Sequence, residues 1–245
     1  MMINIHGKLN FYCEYTMAFE FLAENLSTLQ SSIAGECGKC GRSADEVNLL
    51  PVTKRQPLEK LQALYELGER QFAENRVQEM NEKAEMLPDD LTWHLIGPLQ
   101  SNKVRHALKY ATFIHSVDSL KLLDRIERIA GEDGKQVKVF LQVNLTGEQQ
   151  KRGFSKDKLS EVAESSLEFK NVKIIGLMTM GSVNDDKDAT ILVFRELQQL
   201  QKALQIKYPE ITQLSMGMSG DYKLAIPEGA TYIRVGSLLL GEREY

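Results

Sequence analysis

Eight short β-branched or apolar runs alternate with longer stretches of helical periodicity along this chain, and the alternation predicts an α/β fold with a parallel sheet. Eight such units in 245 residues match a single (β/α)8 barrel, with an extra helix ahead of the first strand. Composition agrees, since 42% hydrophobic and 26% charged residues suit one globular domain with a large core. A single domain over residues 1–245 is therefore expected, its leading helix at about 14–41 and its barrel at about 47–243. A doubly wound open sheet is the other fold this pattern allows, because periodicity does not report closure.

The leading helix rests on Ala18, Leu22, Leu26, Leu29 and Ile33, which recur at helical steps and form one apolar stripe; Gly35 or Gly38 is expected to end it. Candidate strands follow at 47–53, 71–73, 92–96, 113–117, 137–144, 172–178, 212–216 and 231–235. Between them, Pro57 suits a first helical turn with Leu58, Leu61 and Leu64 behind it and Gly68 as a stop. Val77, Met80, Ala84 and Leu87 make the next stripe, closed by Pro88. Asp118 is placed to cap a helix carrying Leu122, Ile126 and Ile129, which Gly131 would stop. Ser155 would cap a helix bearing Leu159, Val162 and Ala163. Val193, Leu197, Leu200 and Leu204 form the longest stripe, ahead of Pro209.

Charge and composition exclude several function classes. Thirty Lys and Arg against 34 Asp and Glu give a net charge of −4, which argues against a nucleic-acid groove or an anionic membrane as partner. No apolar run approaches the roughly 20 residues that span a bilayer. Residues 1–8 lack the basic-then-apolar order of a signal peptide. The three cysteines cannot all pair, so a reducing cytoplasm is the expected compartment. Cys37 and Cys40 form one C-x-x-C with Cys13 as the only other thiol, and His6, His94, His106 and His115 show no paired spacing. No metal site is expected from these residues; the thiols read as passengers on a frayed helix end.

In a closed barrel, chemistry belongs to the loops after the strands. Those positions hold Lys54; Glu74 and Asn75; His94, Gly97, Gln100 and Asn102; His115, Ser116 and Asp118; Asn144 and Lys151; Met178 to Gly181; Ser215 to Asp221; and Arg234, Gly236 and Ser237. A lysine after a strand is ordinarily a solvated charge. Lys54, however, comes straight off an apolar run, so its stem starts in the barrel mouth, where partial loss of water favours the neutral amine that forms a Schiff base. Arg234 lies inside Tyr232-Ile233-Arg234-Val235, which reads as a buried parallel strand, so it needs a specific partner. A structural ion pair with an acid is the plain alternative. Ser219-Gly220 and Gly236-Ser237 make small-residue turns after the last two strands, where barrels often hold phosphate, and Asp221 is placed to cap a short helix running to Ile226. An amine, a phosphate cradle and a cation suit a phosphorylated aldehyde with a ring acceptor atom. Pyridoxal 5′-phosphate carries those three groups.

Longer stretches sharpen this. Phe72-Ala73-Glu74-Asn75-Arg76-Val77-Gln78-Glu79, Trp93-His94-Leu95-Ile96-Gly97-Pro98-Leu99-Gln100-Ser101-Asn102-Lys103, His115-Ser116-Val117-Asp118, Leu214-Ser215-Met216-Gly217-Met218-Ser219-Gly220-Asp221 and Arg234-Val235-Gly236-Ser237 occur in this order. On these words the chain resembles the pyridoxal phosphate homeostasis proteins, whose fold is similar to the N-terminal barrel of alanine racemase. The resemblance implies that Lys54 carries the cofactor as a Schiff base and that Arg234 faces the pyridine nitrogen. It further implies that Ser219, Gly236 and Ser237 hold the phosphate, that Asn75 lies beside the ring, and that Met218 lines the same pocket. Thr53 stands before the lysine where the family usually has Ser.

A racemase needs acid–base groups on both faces of the substrate carbon, and alanine racemases draw a tyrosine from a second, β-rich domain. Tyr245 lies four residues after Gly241, so that domain is expected to be missing. A positioned proton-transfer group is worth roughly 10²–10⁴ in rate. An arginine also keeps its proton, leaving the facing ring nitrogen unprotonated and the ring a weaker electron sink. The expectation is a cytoplasmic binding protein that holds and releases the cofactor in intracellular homeostasis, as a monomer or weak homodimer, with cofactor-requiring apoenzymes as recipients. A weak amino-acid racemase and a cofactor-free, aldolase-like barrel are the alternatives.

Overall fold

The computed structural model describes residues 5–145, 152–181 and 186–242, with side chains from Phe19 onward. Helix α1 (Ile5–Lys39) precedes eight strands: β1 (Asn48–Pro51), β2 (Gln71–Glu74), β3 (Thr92–Leu95), β4 (Ala111–Val117), β5 (Val137–Gln142), β6 (Val172–Met178), β7 (Gln213–Met218) and β8 (Tyr232–Val235). All neighbours pair in parallel, in the order β1-β8-β7-β6-β5-β4-β3-β2. Past the end of β1, Val52 bridges Ala73 and the Thr53 N–H donates to the Ala73 carbonyl at 3.0 Å, joining the two outer strands. The sheet is thus a (β/α)8 barrel, and the open-sheet alternative falls away.

Between the strands lie α2 (Leu58–Glu66), α3 (Val77–Ala84), α4 (Val104–Ala107), α5 (Leu120–Glu132), α6 (Leu159–Ser165), α7 (Lys187–Gln205) and α8 (Tyr222–Ala225), and α9 (Ser237–Leu240) follows β8. Helix α1 runs through both Gly35 and Gly38, which were expected to stop it. It ends where Gly41 takes φ +72°, with Arg42 N–H donating to the Cys37 carbonyl and Gly41 N–H to that of Gly38. That six-to-one and five-to-two pair needs a left-handed residue just past the helix, and glycine adopts it without strain. Helix α5 likewise passes Gly131, and its N-cap is Ser119, whose Oγ accepts from Leu122 N at 3.4 Å, rather than Asp118. Ser155 makes no side-chain cap; a 3-10 turn at Lys156–Lys158 separates it from α6. The four-residue α4 escaped the sequence reading because one helical turn carries no periodicity.

Two apolar layers result. Leu22, Leu26, Leu29, Ile33 and Cys37 of α1 join the helix-facing side of the strands in the larger core. Cys37 continues the α1 stripe by one more step of four and is fully buried, so its thiol, raised by burial, is a packing group and not part of a frayed end. Among the described residues no cluster of His, Cys, Asp or Glu could hold a metal, and no helix is long and apolar enough to cross a membrane.

The second layer fills the barrel itself: Leu50, Val52, Ala73, Phe140, Met178 and Tyr232. His94 and His115, expected at the mouth, are instead fully buried among these rings. His94 stacks on Phe113 and His115 on Phe140, each with centroids 4.2 Å apart. Barrel interiors are usually branched aliphatic side chains; this one adds a cluster of aromatic and imidazole rings.

Candidate functional site

Strand β1 delivers Lys54 to the barrel mouth. Val52 and Thr53 are buried behind it, so the stem of Lys54 rises from inside the ring and the residue is half-buried. The next residue, Arg55, has φ +57°, a left-handed conformation rare for a residue with a Cβ. Its N–H is held by Glu79 Oε1 at 2.5 Å. Lys83 Nζ, from the same helix α3, donates to Glu79 Oε1 (2.8 Å), Glu74 Oε1 (2.7 Å) and the Thr53 carbonyl (2.6 Å). Thr53 Oγ1 donates to Glu74 Oε1 at 2.7 Å. The Glu74 carboxyl is buried, which pushes its pKa up, while Lys83 pulls the other way. This charged cluster clamps the segment on both sides of Lys54 and stabilises the left-handed turn after it. The threonine ahead of the lysine has a role in it.

Strand β2 ends next to Asn75, and the following loop crosses it closely. A Cβ on Gly97 would lie 2.1 Å from the Asn75 carbonyl oxygen, so only glycine lets the β3 loop pass. Ser116 Oγ donates to the Gly97 carbonyl at 2.6 Å and fixes the crossing.

Strands β7 and β8 supply the opposite wall. After β7, Asp221 Oδ1 accepts the Met218 N–H at 2.5 Å. Its side chain therefore folds back onto the loop and makes no cap on α8, the role expected of it. Ser219 Oγ accepts the Gly236 N–H at 3.2 Å, tying the two small-residue turns together. That bond leaves the hydroxyl hydrogen of Ser219 to donate elsewhere.

Arg234, in the middle of β8, is 5% exposed. Its partners are neutral: NH1 donates to Ser215 Oγ at 2.7 Å and NH2 to the Thr179 carbonyl at 3.0 Å. Burial pushes its pKa down to about 10, with Asp221 acting the other way through space. The guanidinium stays protonated at neutral pH. Among the described residues it forms no ion pair, so the structural-pair alternative does not hold.

These elements enclose one cleft of about 470 Å³ at the carboxyl ends of the strands, a size ordinary for a small-molecule site. Lys54, Asn75, Met218, Ser219, Arg234, Gly236 and Ser237 all line it. So do Gly97, Met178 and Met180, expected at strand ends but given no role there, and Val52, Ile96, Pro98 and Gln142, which the sequence did not mark. Gln142 ends strand β5, so position alone could have marked it; apolar and amide side chains give no chemical signal. Lys151 lies outside the described residues. A groove of about 590 Å³ between α1 and α8 shares Ser219 and Gly220 with the cleft but lies away from Lys54 and Arg234.

Comparison with known proteins agrees with this geometry. Residues 38–244 match the family described as alanine racemase, N-terminal domain. The pyridoxal phosphate homeostasis protein of Aquifex aeolicus is 40% identical over 224 residues, covering 91% of this chain and 98% of the relative. That of Escherichia coli K12 is 33% identical over 228 residues, covering 91% and 97%. Among solved structures, PipY of Synechococcus elongatus with PLP bound superposes with a TM-score of 0.80 at 39% identity, covering 90% of this chain and 100% of that one. An alanine racemase of Clostridium difficile gives 0.74 at 16% identity, covering 92% of this chain and 58% of its own, a likeness of fold alone. By its residues, its barrel and these relatives, the chain belongs to the pyridoxal phosphate homeostasis protein family, within the alanine racemase N-terminal domain group.

Proposed function

We propose that the chain binds pyridoxal 5′-phosphate in this cleft and serves to hold and release it in the cell. The observation that carries the reading is the convergence on one cleft of Lys54, a buried arginine with no ion pair among the described residues, and the Ser219–Gly236 junction. The donor set suits the ligand. Lys54 is the amine that bonds the aldehyde carbon, with water leaving. Arg234 would face the ring nitrogen as a protonated donor that makes no ion pair among the described residues. Ser219, Ser237 and the Gly236 turn receive the phosphate, with the Ser219 hydrogen available to donate to an anion. Asn75 flanks the ring and Met218 closes the rim. When bound, the cofactor supplies an electrophilic carbon and an electron-withdrawing ring.

Carriage rather than catalysis is supported by the make-up of the cleft. Among the described residues lining it, the ionisable side chains are Lys54 and Arg234. Arg234 keeps its proton, so among the described residues Lys54 has no acid–base counterpart of the kind racemisation would require. A cleft that grips the aldehyde through one lysine, with no second proton-transfer group among its described lining residues, is suited to passing the cofactor on to apoenzymes. The free Cys37 and Cys40 agree with a cytoplasmic setting.

Titration of the purified protein with pyridoxal 5′-phosphate tests the reading. A visible absorption band should grow to one equivalent, and Lys54→Ala should abolish it. A band that survives in Lys54→Ala would rule out Lys54 as the attachment point. Turnover of L- into D-alanine at ordinary enzymatic rates would favour the racemase alternative.

A further inference from the structure

Behind Arg234 a chain of polar side chains runs through the barrel centre. Arg234 NH1 reaches Ser215 Oγ at 2.7 Å, and Ser215 Oγ lies 2.8 Å from His115 Nδ1. His115 Nε2 lies 2.9 Å from His94 Nδ1, and His94 Nε2 lies 3.1 Å from Gln71 Oε1. Ser215, His115 and His94 are all fully buried. They come from β7, β4 and β3, and Gln71 opens β2, so the chain spans the barrel interior from the mouth to its amino-terminal side.

The chain has one consistent polarity. Gln71 Oε1 can only accept, so His94 carries its proton on Nε2 and offers the lone pair of Nδ1 to His115. His115 then carries its proton on Nε2 and offers Nδ1 to the Ser215 hydroxyl. Ser215 gives its hydrogen to His115 and its lone pair to Arg234. Burial keeps both imidazoles neutral, His94 down to about 3 and His115 well below its ordinary value, with the Arg234 charge adding to the effect on His115. A carboxylate at position 215 would anchor the guanidinium equally well but would cancel its charge. A hydroxyl backed by two neutral imidazoles anchors it and leaves the charge intact, while each link polarises the next.

We propose that Ser215, His115 and His94 are positioning residues for Arg234. They aim the guanidinium at the cleft through neutral partners and so set how strongly it holds the acceptor atom in the ligand ring. This rests on the reading of the cleft as a pyridoxal 5′-phosphate site. It adds residues that touch no ligand and line no part of the cleft.

The test compares pyridoxal 5′-phosphate with its 1-deaza analogue, in which carbon replaces the ring nitrogen while aldehyde and phosphate remain. Dissociation constants of both are measured on the full chain for wild type, Ser215→Ala, Ser215→Thr and His115→Phe. Ser215→Ala should weaken the natural ligand roughly 10-fold and leave the deaza analogue within a factor of about two, since that analogue presents nothing for Arg234 to hold. Ser215→Thr, which restores a hydroxyl, should recover binding. His115→Phe keeps a ring against Phe140 but removes the acceptor, and should move binding in the same direction by a smaller factor. Equal weakening of both ligands would mean a merely structural role and would overturn the proposal, as would unchanged binding of the natural ligand in Ser215→Ala. Wild type that binds both ligands equally also overturns it, because Arg234 then does not read the ring nitrogen. Wild type that binds neither defeats the cofactor reading itself, an outcome distinct from the others.

Discussion

Arg234 is where single-residue chemistry decides most. A guanidinium that is 5% exposed and held by a hydroxyl and a carbonyl makes no ion pair among the described residues, with Asp221 acting on it only through space. A ligand with an acceptor atom in the ring gives it a further charge-assisted hydrogen bond. Arg234→Gln should keep a planar donor but lose the charge, weakening pyridoxal 5′-phosphate by roughly 10- to 100-fold and shifting its visible band; unchanged affinity and spectrum would take Arg234 away from the ring. Lys54 and Arg234 were legible in the sequence for a common reason: each is a charge that an apolar run places at or inside a strand. His94 and His115 were misplaced by the same logic. Histidine after a strand reads as a mouth residue, and nothing local distinguishes it from one that stacks inside the barrel on Phe113 or Phe140.

At the level of elements, the loops owe their shape to backbone approach and buried charge more than to turn chemistry. The left-handed Arg55 stands only because Glu79 and Lys83 of α3 hold the chain around it. No pattern in residues 53–56 announces this, since the clamp comes from a helix more than twenty residues away. The Gly97 crossing is equally silent. Gly97→Ala places a Cβ 2.1 Å from the Asn75 carbonyl. The β3 loop or Asn75 must then move, at a cost of about 1–3 kcal/mol, with weaker ligand binding because both residues line the cleft. Urea unfolding of the ligand-free variant together with ligand titration checks both effects; wild-type values in each would show that the loop yields freely. The strands, by contrast, were readable throughout. A closed parallel sheet buries both faces, so each strand is a compact apolar run, and β6 matches its expected span of 172–178. The ends of α1 and α5 were misjudged because glycine was taken as a stop wherever it occurred. Only a glycine in the left-handed position, such as Gly41, ends a helix in this way.

For the molecule as a whole, the buried polar centre makes stability depend on pH. His94, held down to about 3, and His115, also well below its ordinary value, are neutral in the native state but take up protons on unfolding below about pH 6.5. The unfolded chain thus binds more protons between pH 6.5 and 3, and native stability falls as pH drops through that window. Urea midpoints measured from pH 7 to 4 should fall steeply in wild type and less steeply in the His94→Gln, His115→Gln double variant. Equal slopes would remove the histidines as the source. The larger claim is that Lys54, alone among the 30 basic residues, bonds the ligand at the barrel mouth. Borohydride reduction of the protein loaded with one equivalent of pyridoxal 5′-phosphate, followed by peptide mapping, tests it most directly. The reduced adduct should reside on the peptide containing Lys54 in nearly every molecule, whereas label spread over surface lysines such as Lys187 and Lys223, or none retained, would show that the cleft does not hold this ligand.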